Sequence, residues 1–161
     1  MSGSTPLATM HVGVIADTHG LLRPEALTAL AGVDLIIHAG DVGGPEILQA
    51  LAAIAPVTAV RGNVDHGHWA ARCPKTAVVE AGAARIYVLH DAAHLDLDPR
   101  TAGFAAVVSG HTHRASARER DGVLYFNPGS AGPRRFSLPV TMGRLVVEGS
   151  RVRGEIVVLE P

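Results

Sequence analysis

The chain has very little cysteine, very little lysine and no long apolar run, and each shortage removes a class of function. A single cysteine, Cys73, in 161 residues excludes a disulfide framework and any zinc site built on thiolates, so a reducing cytoplasm is the default location. That thiol beside Pro74 reads as a small apolar filler rather than a nucleophile. Lys75 is the one lysine and follows a proline, with no G-x-x-x-x-G-K-[ST] run around it, which removes P-loop nucleotide binding. No G-x-G-x-x-G follows a strand. No G-x-S-x-G occurs either, since Gly129-Ser130-Ala131-Gly132 has the wrong spacing for a serine nucleophile. A net charge of -1 supplies no basic field for a nucleic-acid polymer. No apolar stretch approaches the roughly 20 residues needed to cross a bilayer, so no membrane partner is expected. The first residues lack the basic and apolar regions of a signal peptide, and residues 1–9 read as a disordered leader.

What is present is enough apolar sequence, 47%, for one globular domain over residues 10–161 with a substantial core. Met10 to Ala16, Asp34 to Ala39 and Val57 to Arg61 read as strands. Pro24 opens a helix that ends near Gly32, and Pro45 opens another through Ala55, with Leu48, Leu51 and Ile54 on its buried face. This β-α-β-α-β opening requires parallel pairing through right-handed crossovers. Helices then thin out. Residues 78–81 and 85–89 form a hairpin at Gly82, and 105–109 is another buried strand. Residues 114–120 and 123–126 flank a tight Asp121-Gly122 turn, and 140–147 with 152–159 make a last hairpin. The order predicts an α/β fold of two packed β-sheets flanked by helices, with no internal repeat.

Short polar clusters stand where the apolar runs end: Asp17-Thr18-His19, Gly40-Asp41, Gly62-Asn63-Val64-Asp65 and Gly110-His111-Thr112-His113, with His90 closing a further run. Strand ends converge on one rim of an open α/β sheet. Two carboxylates, one amide and four imidazoles meeting there are metal ligands in number sufficient for two ions. Each alone has a plainer reading: Asp17 as a helix cap, Asp41 as a turn residue, Asn63 as a left-handed turn residue. The set, in order and all at strand ends, does not. A carboxylate has two oxygens, so Asp41 is the natural bridge. Carboxylate, amide and imidazole without thiolate favour Mn²⁺, with Fe²⁺, Ni²⁺ or Zn²⁺ as alternatives.

The succession D-x-H, G-D, G-N-x-D, a strand-terminal His and G-H-x-H resembles the signature of the calcineurin-like metallophosphoesterases. Together with Asn127-Pro128-Gly129-Ser130, it is most similar to the small bacterial and archaeal phosphodiesterase branch, over about residues 10–130. The resemblance implies a four-layer fold, a β-sandwich between helices, with a dinuclear centre. It also implies that Asp17, His19 and His113 bind one ion and that Asn63, His90 and His111 bind the other, with Asp41 shared. The implied reaction is hydrolysis of a small phosphate ester by a hydroxide held between the ions. Asp41 and Asn63 would act at the reaction centre, while Asp65 and His38 would stand behind the ligands and orient them.

Two positions depart from the pattern. Val64 stands where many relatives have a histidine that protonates the leaving group, so His66 becomes the candidate acid. Asp91 follows His90 where glycine is usual. The competing readings are a phosphomonoesterase and a non-catalytic protein-interaction scaffold like the retromer subunit of this fold. A degraded ligand set would favour the scaffold, and all seven ligands are present. A homo-oligomer is compatible with the sequence.

Overall fold

The computed structural model describes residues 8–161. The expected leader therefore falls, over residues 1–7, outside the described residues, and Thr9 already opens the first strand. The elements run β1 (Thr9–Ile15), α1 (Pro24–Leu30), β2 (Leu35–His38), α2 (Pro45–Ala52), β3 (Val57–Ala59), α3 (His68–Ala71), β4 (Thr76–Ala81) and β5 (Ala84–Leu89). A 3₁₀ turn (Ala92–His94) follows, then β6 (Ala106–Val108), β7 (Ser116–Arg120), β8 (Val123–Asn127), β9 (Val140–Glu148) and β10 (Arg151–Glu160).

Two five-stranded sheets result, in the orders β10-β9-β1-β2-β3 and β4-β5-β6-β8-β7. In the first, β1, β2 and β3 are parallel; in the second, β5, β6 and β8 are parallel. The hairpins form the antiparallel flanks. Strand alternation explains the packing. Val12, Val14 and Ala16 of the first sheet join Ile86, Val88, Ala106 and Val108 of the second in the inter-sheet core. Ile15 points the other way, into a second cluster with Leu30, Ile47 and Leu51 of the helices. The outer face of the second sheet, Tyr87, Leu89 and Val107, is covered by Phe104, Leu95 and Leu97 from the segment after β5, which holds only the 3₁₀ turn.

Proline at the first turn starts α1 and α2, where its missing N–H is not needed. α2 stops at Ala52, three residues short of the expected end, because the Ile54 N–H turns back tightly to the Leu51 carbonyl at 2.9 Å. Its fully buried residues are Ile47 and Leu51, one turn apart, whereas Leu48 and Ile54 are half-buried. α3 and the 3₁₀ turn carry no periodic apolar pattern and were not expected from sequence.

Candidate metal centre

The carboxyl ends of the parallel strands in both sheets meet at one rim, and the chain leaves them in an unusual way. Seven described non-glycine residues have positive φ, and five are Asp17 (55°), His19 (46°), Asp41 (56°), His111 (74°) and His113 (63°). Left-handed backbone at a non-glycine costs about 1–3 kcal/mol and persists only where the surroundings over-determine it, commonly at functional sites. The neighbouring glycines make room. A Cβ on Gly62 would overlap Asp41 Oδ1, and one on Gly40 would stand 2.6 Å from His90 Nδ1.

Asp17, His19 and His113 form a first cluster. Asp17 is fully buried. Its Oδ2 accepts the His111 N–H at 3.1 Å. Its Oδ1 faces His113 Nε2 at 3.6 Å and His19 Nε2 at 3.9 Å. Asp17 Oδ1 and His19 Nε2 are buried with no hydrogen-bond partner among the described residues. Donor atoms on bonds of roughly 2.0–2.2 Å stand at about this spacing around one ion. Burial pushes the Asp17 carboxyl up to about 7, against the field of His90 and with the help of Asp41. Burial likewise lowers His19, and lowers His113 to about 4 with the added repulsion of Arg135. Unpaired lone pairs in a desolvated cluster are what a cation would satisfy.

Asp41, His90 and His111 form the second cluster, with Asn63 beside it. His90 Nδ1 lies 2.7 Å from the Ala39 carbonyl, which can only accept, so Nδ1 carries a proton. Nε2 then faces Asp41 Oδ2 at 3.2 Å and Asn63 Oδ1 at 3.0 Å. In the neutral ring that is a lone pair against two acceptor oxygens, which requires a second proton or a cation between them. Burial opposes the charge on His90, but the Asp41 carboxylate and the Ala39 carbonyl outweigh it and raise the imidazole above its ordinary value. Burial pushes Asp41 up too, but His90 and the Val64 N–H outweigh it and hold the carboxyl at about 2. Asp41 Oδ1 accepts that N–H at 3.0 Å, which leaves Oδ2 facing His90 and, at 3.8 Å, His19 of the first cluster.

The residues expected behind the ligands are tied to the loops. Asp65 accepts the Gly62 N–H at 2.9 Å, the Gly43 N–H at 3.0 Å and the Val42 N–H at 3.2 Å, joining the β2 and β3 loops. His38 is fully buried, and burial lowers it to about 4. The neutral ring accepts the Gly40 N–H at Nδ1 (3.1 Å) and donates from Nε2 to Thr18 Oγ1 (2.9 Å), which donates to the Val42 carbonyl (2.8 Å). His66 is exposed and belongs to neither cluster. Asp91 Oδ1 caps the 3₁₀ turn through the Ala93 N–H at 3.0 Å, and Oδ2 faces His111 at 3.7 Å.

Sequence reasoning assigned no role to Asn127 and Ser130. Asn127 donates to the Gly110 carbonyl (3.0 Å) and Thr112 Oγ1 (3.1 Å), holding the loop of His111 and His113. Ser130 donates to the Asp17 carbonyl at 3.1 Å. Their signal was the polar Asn-Pro-Gly-Ser run at the end of another strand.

The model of the calcineurin-like phosphoesterase superfamily domain matches residues 10–150. The chain belongs to that superfamily. It is 35% identical over 160 residues to the protein named probable metallophosphoesterase in Methanothermobacter thermautotrophicus, covering 92% of each. Among solved structures, an archaeal phosphodiesterase superposes with a TM-score of 0.75 at 24% identity, over 92% of this chain and 100% of the other. Vacuolar Protein Sorting 29 of Cryptosporidium parvum gives 0.76 at 20%, over 95% and 99%. At those identities the two structures speak for the fold alone. Superfamily membership supports a phosphoester hydrolase, and with the two donor clusters it supports divalent-metal binding. No described helix is long and apolar enough to cross a membrane.

Proposed function

We propose that the chain is a metal-dependent phosphodiesterase with two divalent ions, Mn²⁺ favoured over Fe²⁺, Ni²⁺ or Zn²⁺. Asp17, His19 and His113 hold one ion, Asn63, His90 and His111 the other, and Asp41 is shared. The observation that carries this reading is Asp41 Oδ2, which faces His19 at 3.8 Å and His90 at 3.2 Å while Oδ1 is occupied by the Val64 N–H. When bound, such a pair supplies Lewis-acid chemistry, activating water and neutralising phosphoryl charge.

The side chains provide the rest. The Ala39 carbonyl fixes the His90 ring so that Nε2 points into the site. Asp65 keeps the loops carrying Asp41 and Asn63 at a fixed separation, and His38 with Thr18 braces the loops of Asp17 and Asp41. Val64 cannot donate a proton, and we assign leaving-group protonation to His66 on the same loop. A positioned acid contributes about 10²–10⁴ in rate, most for poor leaving groups. His66→Ala should therefore slow alkyl diesters far more than p-nitrophenyl esters; equal losses on both make His66 a binding residue instead.

Diester over monoester is supported by the phosphodiesterase that shares the fold and by a cavity of about 540 Å³ beside the second cluster, roomy enough for a second ester arm. The scaffold alternative draws on the fold shared with Vacuolar Protein Sorting 29, but a complete donor set favours hydrolysis. The test is ion content after loading with Mn²⁺, then turnover of bis(p-nitrophenyl) phosphate against p-nitrophenyl phosphate. Diester preference is expected. Monoester preference turns the reading to a phosphomonoesterase, and neither bound metal nor turnover turns it to a scaffold.

A further inference from the structure

The cavity beside the second cluster shares Asn63, His90 and His111 with it, and continues past them to Arg61 and Lys75. Lys75 is the only lysine of the chain. The two cations come from segments that are paired: the Arg61 N–H donates to the Pro74 carbonyl at 2.9 Å, so the side chains leave neighbouring backbone at a fixed separation. Neither side chain takes part in an ion pair among the described residues.

One carboxylate, Asp91, also lines the cavity, but it is already engaged. Its Oδ1 accepts the Ala93 N–H at 3.0 Å, and its Oδ2 stands 3.7 Å from His111 and 3.9 Å from His94. Arg61 and Lys75 are thus unanswered positive charges in a concave site. A phosphodiester carries a single negative charge at phosphorus, and that charge falls to the metal-binding clusters. Two further cations exceed what the reacting group needs.

Resting on the phosphodiesterase reading, we propose that Arg61 and Lys75 select phosphodiesters with an ester arm that carries a negative group of its own, a carboxylate or second phosphate, and that this arm lies in the cavity. Arginine's planar fork suits bidentate capture of either oxyanion, and lysine adds a mobile point charge. Complementary charge in a concave site discriminates among arms by repulsion of a cationic one as well as by attraction.

The experiment uses methylphosphinates, whose arm joins phosphorus through a P–C bond that cannot be hydrolysed. Three arms, 3-carboxypropyl, butyl and a choline-type trimethylammonioethyl, are titrated calorimetrically into the Mn²⁺-loaded full chain. We expect the carboxylate arm to bind about tenfold or more tighter than butyl, and the choline-type arm weaker than butyl. The double substitution Arg61→Ala/Lys75→Ala should bring the three arms within about twofold of one another, whereas Arg61→Lys/Lys75→Arg keeps the order because the charges remain. Equal affinity for the three arms in the unmodified protein, or a preference that survives in the double alanine variant, overturns the proposal. The p-nitrophenyl diesters of the same arms test the underlying reading separately. If none is hydrolysed, the phosphodiesterase assignment fails even where the binding order stands.

Discussion

Asp17, His19 and His113 are packed into the rim with no hydrogen bonds among their side chains, whereas Asp41, Asn63 and His90 are linked by short contacts, and Asn63, His90 and His111 open onto a cavity. In the first cluster Asp17 Oδ1 and His19 Nε2 have no partner, and the Asp17 carboxyl is pushed up to about 7 by burial. In the second, His90 bonds the Ala39 carbonyl and faces Asp41 and Asn63, and the His111 side chain is 43% exposed. The contrast teaches a division of labour on one rim. A desolvated carboxylate with one oxygen left unpartnered depends most on a bound cation, so on the proposed two-ion reading the first cluster would be the anchor. On the same reading, the exposed His111 beside the cavity would be where an ion exchanges and substrate is met.

Asp41 joins the two clusters, so its loss should break the comparison altogether. Asp41→Ala is expected to release both ions and cut hydrolysis by at least about 10³-fold, or roughly 4 kcal/mol. Mass-spectrometric ion counting on the dialysed variant decides the matter, since an ion retained in full would mean that the carboxylate is not shared.

Removing one imidazole from each cluster sharpens the contrast. His113→Ala should empty the first cluster and His111→Ala the second, each with a rate loss of about 10²-fold. The unmodified protein should keep the ion that needs His113 longer through dialysis. If both variants lose the same ion, or the exposed site proves the tighter, the division of labour is wrong.

His38 braces the loops of both clusters and offers a subtler test in the metal-free protein. Burial lowers it to about 4 against an ordinary 6.5, so between those values the unfolded chain binds a proton that the folded chain does not. Its contribution is whole above about pH 6.5 and is lost as pH falls toward 4, on the order of 2 kcal/mol between pH 7 and pH 5. His38→Gln should cost about 1–2 kcal/mol at pH 7 through its lost hydrogen bonds. It should also fall less steeply than the parent in urea denaturation at pH 5. Parallel curves for the two proteins would mean that His38 is not held neutral.

The smallest effect is expected at Asp91, on the margin of the second cluster. Its oxygens cap the 3₁₀ turn and face His111 and His94, so Asp91→Gly should keep metal and remain within about tenfold in rate, or about 1.4 kcal/mol. A collapse of activity would make it a ligand and redraw the second cluster.

Much of this was legible along the chain. Prolines 24 and 45 announced their helices, the parallel opening followed from β-α-β-α-β order, and the polar groups stood at the strand ends where a site belongs. What failed was local and physical. The apolar pattern overstates α2 because Ile54 and Ala55 continue it after the backbone has already tightened. α3 and the 3₁₀ turn, four and three residues long, are too short to show a period.

The sequence by itself determined which side chains arrive at the rim, because strand alternation and the apolar runs dictate where each strand must end. Only the tertiary structure decided how they divide. That Asp17 is fully buried while His111 lies open, that Asp41 turns one oxygen toward both clusters, and that Arg61 and Lys75 line the same cavity depend on how the two sheets stack. Burial, and with it the strength of every charge at the site, is a property of what packs around a residue. No spacing along the chain records it.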